Sequence, residues 1–145
     1  MERRTFLEFA RAAAMAAVIP NNWRLTFRPA FADTPFSLGV ASGDPTATDV
    51  TLWTRLATRP LDPDGGMGGS RIGVLWELAD DENFRKVRRQ GRAAAAPELG
   101  HSVHVDLTGL EPDRWYFYRF RAGDAVSPVG RTRTCLLYTS DAADE

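Results

Sequence analysis

The sequence is short of the residues that build cross-links and most metal sites. Cys135 is its single cysteine, which excludes a disulfide within the chain and a zinc site made of several thiolates. The only histidines are His101 and His104, so few side chains suit metal binding or acid–base chemistry near neutral pH. The residues show no catalytic or metal-binding constellation, and we expect no cofactor to bind within this chain.

Long apolar runs and an excess of charge of one sign are also missing. No stretch stays apolar over the roughly 20 residues that a membrane-spanning helix needs, so we expect no stable membrane span. The formal net charge is −1, which gives no overall attraction to nucleic acid. The basic run at residues 85–92 follows Asp80, Asp81 and Glu82, so we expect a solvated, self-paired surface and no nucleic-acid partner.

The first residues have the layout of an export signal. Arg3 and Arg4 form a positive head, and an alanine-rich, weakly apolar stretch runs from there to Ile19. The paired arginines, with Phe6 and Leu7 close behind, resemble the twin-arginine signal, which implies the twin-arginine export machinery as a partner. A general secretory signal and an ordinary amphipathic helix are the alternatives.

A cleavage site for this signal is predicted within the first 32 residues. Ala30 and Ala32 flank Phe31 in an A-x-A pattern, which predicts cleavage before Asp33. We therefore divide the chain into an export signal at residues 1–32 and a mature domain at residues 33–134. This division predicts a periplasmic or extracellular location.

Residues 33–134 have the pattern of an all-β domain. Short alternating runs separated by turn signals predict strands at residues 36–40, 49–56, 72–78 and 102–107. The alternation predicts these inward side chains: Val50, Leu52, Leu56, Ile72, Val74, Trp76, Leu78, Val103, Val105 and Leu107. Residues 42–45 predict a turn, and residues 80–87 predict one short helical turn capped by Asp80 or Asp81. The fold class predicted is an immunoglobulin- or fibronectin-III-like antiparallel β-sandwich, preceded by the helix of the signal.

The segment that starts at Leu110 carries the most specific local signal. Leu110, Pro112 and Tyr116 have the spacing of a tyrosine corner, in which a tyrosine near the start of a strand bonds back to the preceding connection. Leu-x-Pro-x-x-x-Tyr resembles fibronectin type III domains in particular. The three residues are predicted to be a structural motif.

The strand that follows the tyrosine corner is predicted to turn Tyr116, Tyr118 and Phe120 inward, and other large aromatic residues alternate with them. Trp115 and Phe117 fall on the side opposite Tyr116, and Trp53 is out of phase with Leu52. We hypothesise that these aromatics form an open face that docks on another domain of the same full-length chain. The alternative is that a bulge changes the phase of the strand and buries them.

Two stretches resemble a known family. "GVASGDP…LWTR", within residues 35–56, and residues 98–134 are similar to the N-terminal domain of the alkaline phosphatase D family. The resemblance implies a fibronectin-III-like domain that precedes a larger metallophosphatase domain. It also implies a secreted phosphomonoesterase or phosphodiesterase that uses iron and calcium. The metal ligands and catalytic residues of the family belong to that second domain, so none is assigned here.

Asp44, Trp53, Arg55 and Tyr116 occupy positions that match the family's motifs, and we assign them structural roles. Gly43-Asp44 has a superficial likeness to a metal-binding Gly-Asp pair. We predict instead a turn aspartate whose carboxylate accepts nearby backbone N–H groups.

The end of the chain fits nothing before it. "CLLYTSDAADE", residues 135–145, resembles a translated sequencing adapter, and we hypothesise that it is an artefact that follows a truncated gene. On that hypothesis the chain is the N-terminal accessory part of an alkaline phosphatase D-like enzyme without the catalytic domain. The alternative function is a free-standing fibronectin-III-like module that binds protein or carbohydrate.

Overall fold

Eight strands form two antiparallel sheets in the computed structural model, which describes residues 29–137. The first sheet has the order β1-β2-β5 and contains β1 (Val40–Gly43), β2 (Val50–Arg55) and β5 (Ser102–Leu107). The second sheet contains five strands: β3 (Ile72–Ala79), β4 (Val87–Ala95), β6 (Trp115–Ala122), β7 (Ala125–Val126) and β8 (Gly130–Arg133). Within it, β3 pairs with both β4 and β6, while β7 and β8 pair with successive parts of β6.

The core lies between the two sheets and follows the predicted alternation. The buried side chains that the alternation predicted are Val50, Leu52, Leu56, Ile72, Val74, Leu78, Val103, Val105, Leu107, Tyr116, Tyr118 and Phe120. Trp76, predicted on the same face, is half-buried and packs against them. Removing these apolar surfaces from water is the main force that holds one sheet on the other.

The strand connections give the fibronectin-III-like sandwich that the sequence predicted. Hairpins join β1 to β2 and β3 to β4, and the chain then crosses back to the first sheet at β5 before it returns to β6. No helix within residues 29–137 is long and apolar enough to cross a membrane. The predicted signal helix, with Arg3, Arg4, Phe6 and Leu7, lies outside the described residues.

The predicted first strand at residues 36–40 is wrong. Gly39 has φ of +73° and donates its N–H to the Phe36 carbonyl at 2.9 Å, so the chain turns before β1 begins. Glycine adopts this left-handed conformation without steric cost. Phe36 is still buried and makes an isolated parallel bridge to Ala57, while β1 extends into the predicted turn as far as Gly43.

The predicted helical turn at residues 80–87 is also wrong. The Asp81 carboxylate accepts hydrogen bonds from the backbone N–H groups of Asn83, Arg85 and Lys86 at 2.9 to 3.2 Å. A side chain that satisfies several amides at once competes with the helical pattern. Phe84 accordingly has φ of +55°, and the segment forms the loop between β3 and β4.

Part of the predicted artefact tail lies within the described residues. The Cys135 N–H donates to the Thr46 carbonyl at 2.8 Å, and the Cys135 carbonyl accepts from the Asp113 N–H at 2.9 Å. Another residue type could make these two backbone contacts equally well, while the Cys135 thiol also donates to the Pro45 carbonyl at 3.1 Å. Residues 138–145 lie outside the described range, and the assignment of 135–145 to an adapter stays a prediction.

Candidate docking surface

The outer side of the five-stranded sheet carries both aromatic residues that the alternation singled out. Trp115 and Phe117 point away from the core because their neighbours on β6, Tyr116 and Tyr118, point into it. The strand β8 supplies Arg133 opposite Trp115 and Arg131 opposite Phe117. We call the following residues the outer face: Glu77, Trp115, Phe117, Arg119, Arg121, Arg131 and Arg133.

Trp115 is stacked with two arginines. The guanidinium carbon of Arg131 lies 4.4 Å from the centre of the Trp115 ring, and that of Arg133 lies 5.5 Å from it. Both distances are within the range of cation–π attraction. Trp115 remains 46% exposed, so the stack presents an ordered aromatic and cationic surface to solvent.

A third arginine of this surface is held on the neighbouring strand pair. Arg119 Nε is 2.5 Å from Glu77 Oε2, and its guanidinium carbon is 4.0 Å from the centre of the Phe84 ring. The ion pair neutralises Arg119 and holds it in place. Phe117 lies between this pair and the tryptophan stack and is half-buried.

The outer face has an excess of positive charge. Its ion pairs use the carboxylates of Glu77 and Asp113, which bind Arg119 and Arg133. Within residues 29–137, Arg121 and Arg131 have no carboxylate partner. A shallow depression of about 390 Å³, lined in part by Leu75, Trp76 and Arg121, adjoins this surface. The combination fits a partner that is partly apolar and carries acidic groups.

Trp53 does not belong to this surface. It lies on β2 opposite His104, and Leu52 beside it is buried, so Trp53 is on the outer side of the three-stranded sheet. The two sheets of a sandwich expose opposite sides of the molecule. The hypothesis that groups Trp53 with Trp115 and Phe117 is therefore wrong for Trp53.

The tyrosine corner forms as its spacing predicts. The Tyr116 hydroxyl accepts a hydrogen bond from the Glu111 N–H at 3.0 Å. Leu110 is buried in the core, and Pro112 lies exposed at the outside of the turn. The motif fixes the start of β6, and with it the position of Trp115.

Arg55 and Asp44 lie in the first sheet and its turns. Arg55 Nε donates to the Gly100 carbonyl at 2.9 Å and so ties β2 to the turn before β5. Asp44 follows β1, is exposed and has φ of +48°, and its carboxylate accepts no hydrogen bond from the described part of the chain. The predicted side-chain bonds are instead made by Thr46, whose hydroxyl accepts from the N–H groups of Thr48 and Asp49 at 3.2 and 2.9 Å.

The described residues do not fit an iron or calcium site. His101 is buried with Nε2 2.8 Å from the Ser70 carbonyl oxygen, and the Asp106 carboxylate beside exposed His104 accepts the Thr51 hydroxyl at 2.7 Å. Between Pro29 and Leu137, no group of three or more His, Cys, Asp or Glu side chains is placed to hold a metal ion.

Two members of the basic run at residues 85–92, Lys86 and Arg88, are paired with the acidic residue upstream, as predicted for the run. Asp80 contacts Arg88 at 2.7 Å, Arg114 at 3.0 Å and Lys86 at 3.5 Å. Burial would raise the pKa of Asp80, but the hydrogen bond from Arg88 and the neighbouring positive charges outweigh it and keep that pKa below its ordinary value.

Comparison with known proteins identifies the family. A family model described as the N-terminal domain of PhoD-like phosphatases matches residues 21–136. The chain belongs to this family. Alkaline phosphatase D of Bacillus subtilis (strain 168) is 55% identical to the PhoD-like domain over 106 residues, which are 73% of this chain and 18% of that protein.

The solved structure of a PhoD protein agrees with this assignment. A structure of PhoD has 55% identity and a TM-score of 0.71, and the match covers 73% of this chain and 20% of that one. The fn3 domain of human contactin 1 has 15% identity and a TM-score of 0.46 over 82% of this chain and 91% of its own. The chain thus spans about a fifth of the length of its PhoD relatives, and its fibronectin-III-like fold is established by the strand order.

The sequence missed two residues of the outer face of this PhoD-like domain. Arg131 and Arg133 lie on β8, whose four residues, Gly130–Arg133, are too short for an alternation pattern to be convincing. Their outward direction follows from the pairing of β8 with β6. Within β8, the only local signal of this outward direction is that the two arginines alternate with Gly130 and Thr132.

Proposed function

We propose that this PhoD-like domain is the non-catalytic accessory domain of an exported, metal-dependent phosphoesterase. The observation that carries the proposal is the extent of the match, in which 55% identity over 106 residues covers only 18% of an alkaline phosphatase. In this proposal the reaction and the iron and calcium sites belong to a second domain. Export by the twin-arginine route, to the periplasm or the exterior, follows from the predicted signal at residues 1–32.

The outer face supplies the docking surface for that second domain. Protein interfaces concentrate their binding energy in a few buried tryptophan, tyrosine and arginine side chains. Trp115 and Arg131 already stack on each other in the domain without a partner. Docking therefore loses little side-chain conformational entropy at these two residues. The excess positive charge of the face favours an acidic surface on the partner.

A titration in trans tests this function. Bacillus subtilis alkaline phosphatase D, truncated to remove the part similar to this chain, is titrated with the full chain in a calorimeter. We expect binding, and a loss of affinity of about tenfold or more for Trp115→Ala combined with Arg131→Ala. Leu61→Ala is the control, because Leu61 is 99% exposed and lies in a loop outside the outer face.

An activity assay completes the test. The full chain supplied with iron and calcium should not hydrolyse a generic aryl phosphate ester. Hydrolysis by this chain would contradict the accessory role. Absence of binding to the truncated enzyme, together with binding of a carbohydrate or of an unrelated protein, would establish a free-standing binding module in its place.

A further inference from the structure

The segment before the first strand is seated on the folded domain. Phe31 is half-buried and packs against the hydrophobic core. The Pro29 carbonyl lies so close to Gly123, in the turn between β6 and β7, that a Cβ on Gly123 would collide with it. Residues 29–32 therefore contact the domain at two points, and we call them the seated segment.

The chain is fixed again immediately after this segment. The Pro35 carbonyl accepts a hydrogen bond from the Ala57 N–H at 2.7 Å, and Phe36 is buried and bridges Ala57. Only Asp33 and Thr34 separate Ala32 from Pro35. The three Cα–Cα steps from Ala32 to Pro35 span at most about 11 Å when fully extended, so the chain around the Ala32–Asp33 bond has little slack.

The surroundings of the seated segment are parts of the folded domain. A depression of about 340 Å³ on one side of it is lined in part by Asp124 and Ala125. A second, of about 320 Å³, is lined in part by Thr58, Arg59 and Gly66. The segment thus lies between the β6–β7 turn and the loop that follows β2.

Ala32 and Asp33 are themselves exposed, so the bond between them is held by its anchored neighbours and is not covered by the domain. We propose that the seated segment restrains the Ala32–Asp33 bond, so that a signal peptidase cuts the folded chain only after Phe31 has left its place. The inference rests on the export signal of the proposed function. A protease acts on a locally opened chain, and when opening is fast the rate of cutting follows the population of the open form. A chain exported after folding meets the peptidase in the restrained state.

Cleavage of the full chain by a purified bacterial signal peptidase in detergent tests the proposal. The product that begins at Asp33 is measured by mass spectrometry. Phe31→Ala should be cut about tenfold faster than the natural sequence, because the open form becomes more populated. Phe31→Leu, which keeps an apolar side chain, should lie close to the natural rate.

A second variant separates this restraint from the sequence of the cleavage site. Ala125→Arg alters the surface against which the seated segment packs and leaves residues 29–36 unchanged. It should therefore also accelerate cutting. Near-UV circular dichroism reports whether the variant folds. Leu61→Ala is the control and should not change the rate. A synthetic peptide of residues 25–40 lacks the folded domain on which the segment packs, so it should be cut rapidly with either Phe or Ala at position 31.

The outcomes distinguish a wrong cleavage site from a wrong role for the seated segment. If the peptide resists the peptidase, the predicted cleavage site is wrong and the restraining role of the segment is overturned with it. If the peptide is cut but the full chain and the Phe31→Ala variant are cut at the same rate, the restraint is refuted and the cleavage site stands.

Discussion

The Tyr116 hydroxyl accepts the backbone N–H of Glu111 at 3.0 Å, and this bond closes the connection between β5 and β6. Thr134 reinforces the same corner, because its hydroxyl donates to the Glu111 carbonyl at 2.6 Å and accepts the Arg114 N–H at 3.0 Å. The corner therefore joins the start of β6 to the end of β8. Trp115, which follows Arg114, is presented on the outer face from this fixed position.

Removal of the corner hydroxyl should weaken the domain measurably. Tyr116→Phe keeps the buried ring but leaves the Glu111 N–H without its acceptor, so we expect a loss of about 1 to 2 kcal/mol in the free energy of unfolding. Denaturant titration measures the loss. Hydrogen exchange should accelerate selectively at the Glu111 amide, and unchanged exchange there would show that the bond does not stabilise the corner.

The Trp76 ring should make Gly91 intolerant of any side chain. A Cβ at Gly91 would lie 2.5 Å from Trp76 Cζ2, and the half-buried indole has little room to move. Gly91→Ala should therefore destabilise the fold by about 1 to 3 kcal/mol. At Gly43 a Cβ would meet nothing within 4 Å, so Gly43→Ala is the matched control and should be neutral or slightly stabilising in the same thermal melt. Equal effects of the two substitutions would contradict the packing described.

Acid should remove the stabilisation that Asp80 contributes. Its pKa is lowered in the folded state, so the contribution is complete above the unfolded pKa of about 3.9 and disappears as the pH falls through the lower folded value. Asp80→Asn should cost about 1 to 2 kcal/mol near neutral pH. Unfolding titrations from pH 7 to pH 2 should show the two proteins converging below about pH 4. A difference that is constant down to pH 2 would exclude an ionic origin.

The sequence predicted the inward faces correctly because burial imposes a period of two on a strand. Val103 and Val105 alternate with His104 and Asp106, and the structure buries the first pair and exposes the second. The tyrosine corner was also predictable, since its three residues lie within one short segment. Both signals are local in the sequence.

Features that depend on pairing between distant segments were not predictable. The strand β4 was missed because only Ala95 at its end is fully buried, so its composition carries no alternating apolar pattern. Alternation shows on which side of its own strand a residue lies, but not to which sheet the strand belongs, so the sequence does not separate Trp53 from Trp115. Arg131 and Arg133 become part of the outer face only through the register of β8 on β6.

Loss of Trp115 should cost the isolated domain little. The ring is 46% exposed and loses mainly its contacts with Arg131 and Arg133, so Trp115→Ala should reduce the free energy of unfolding by about 1 to 2 kcal/mol. Phe120, which is fully buried, is the comparison, and Phe120→Ala should cost about 3 to 5 kcal/mol. Comparable losses in the two variants would place Trp115 in the core and remove the basis for docking.

The central claim is that the outer face binds a following phosphatase domain, and calorimetric unfolding of a chimera tests it most directly. Residues 35–134 replace the corresponding part of Bacillus subtilis alkaline phosphatase D. We expect the chimera to unfold in one cooperative transition, and Trp115→Ala with Arg131→Ala to split it into two. Two separate transitions in the chimera itself, unaffected by these substitutions, would contradict the claim.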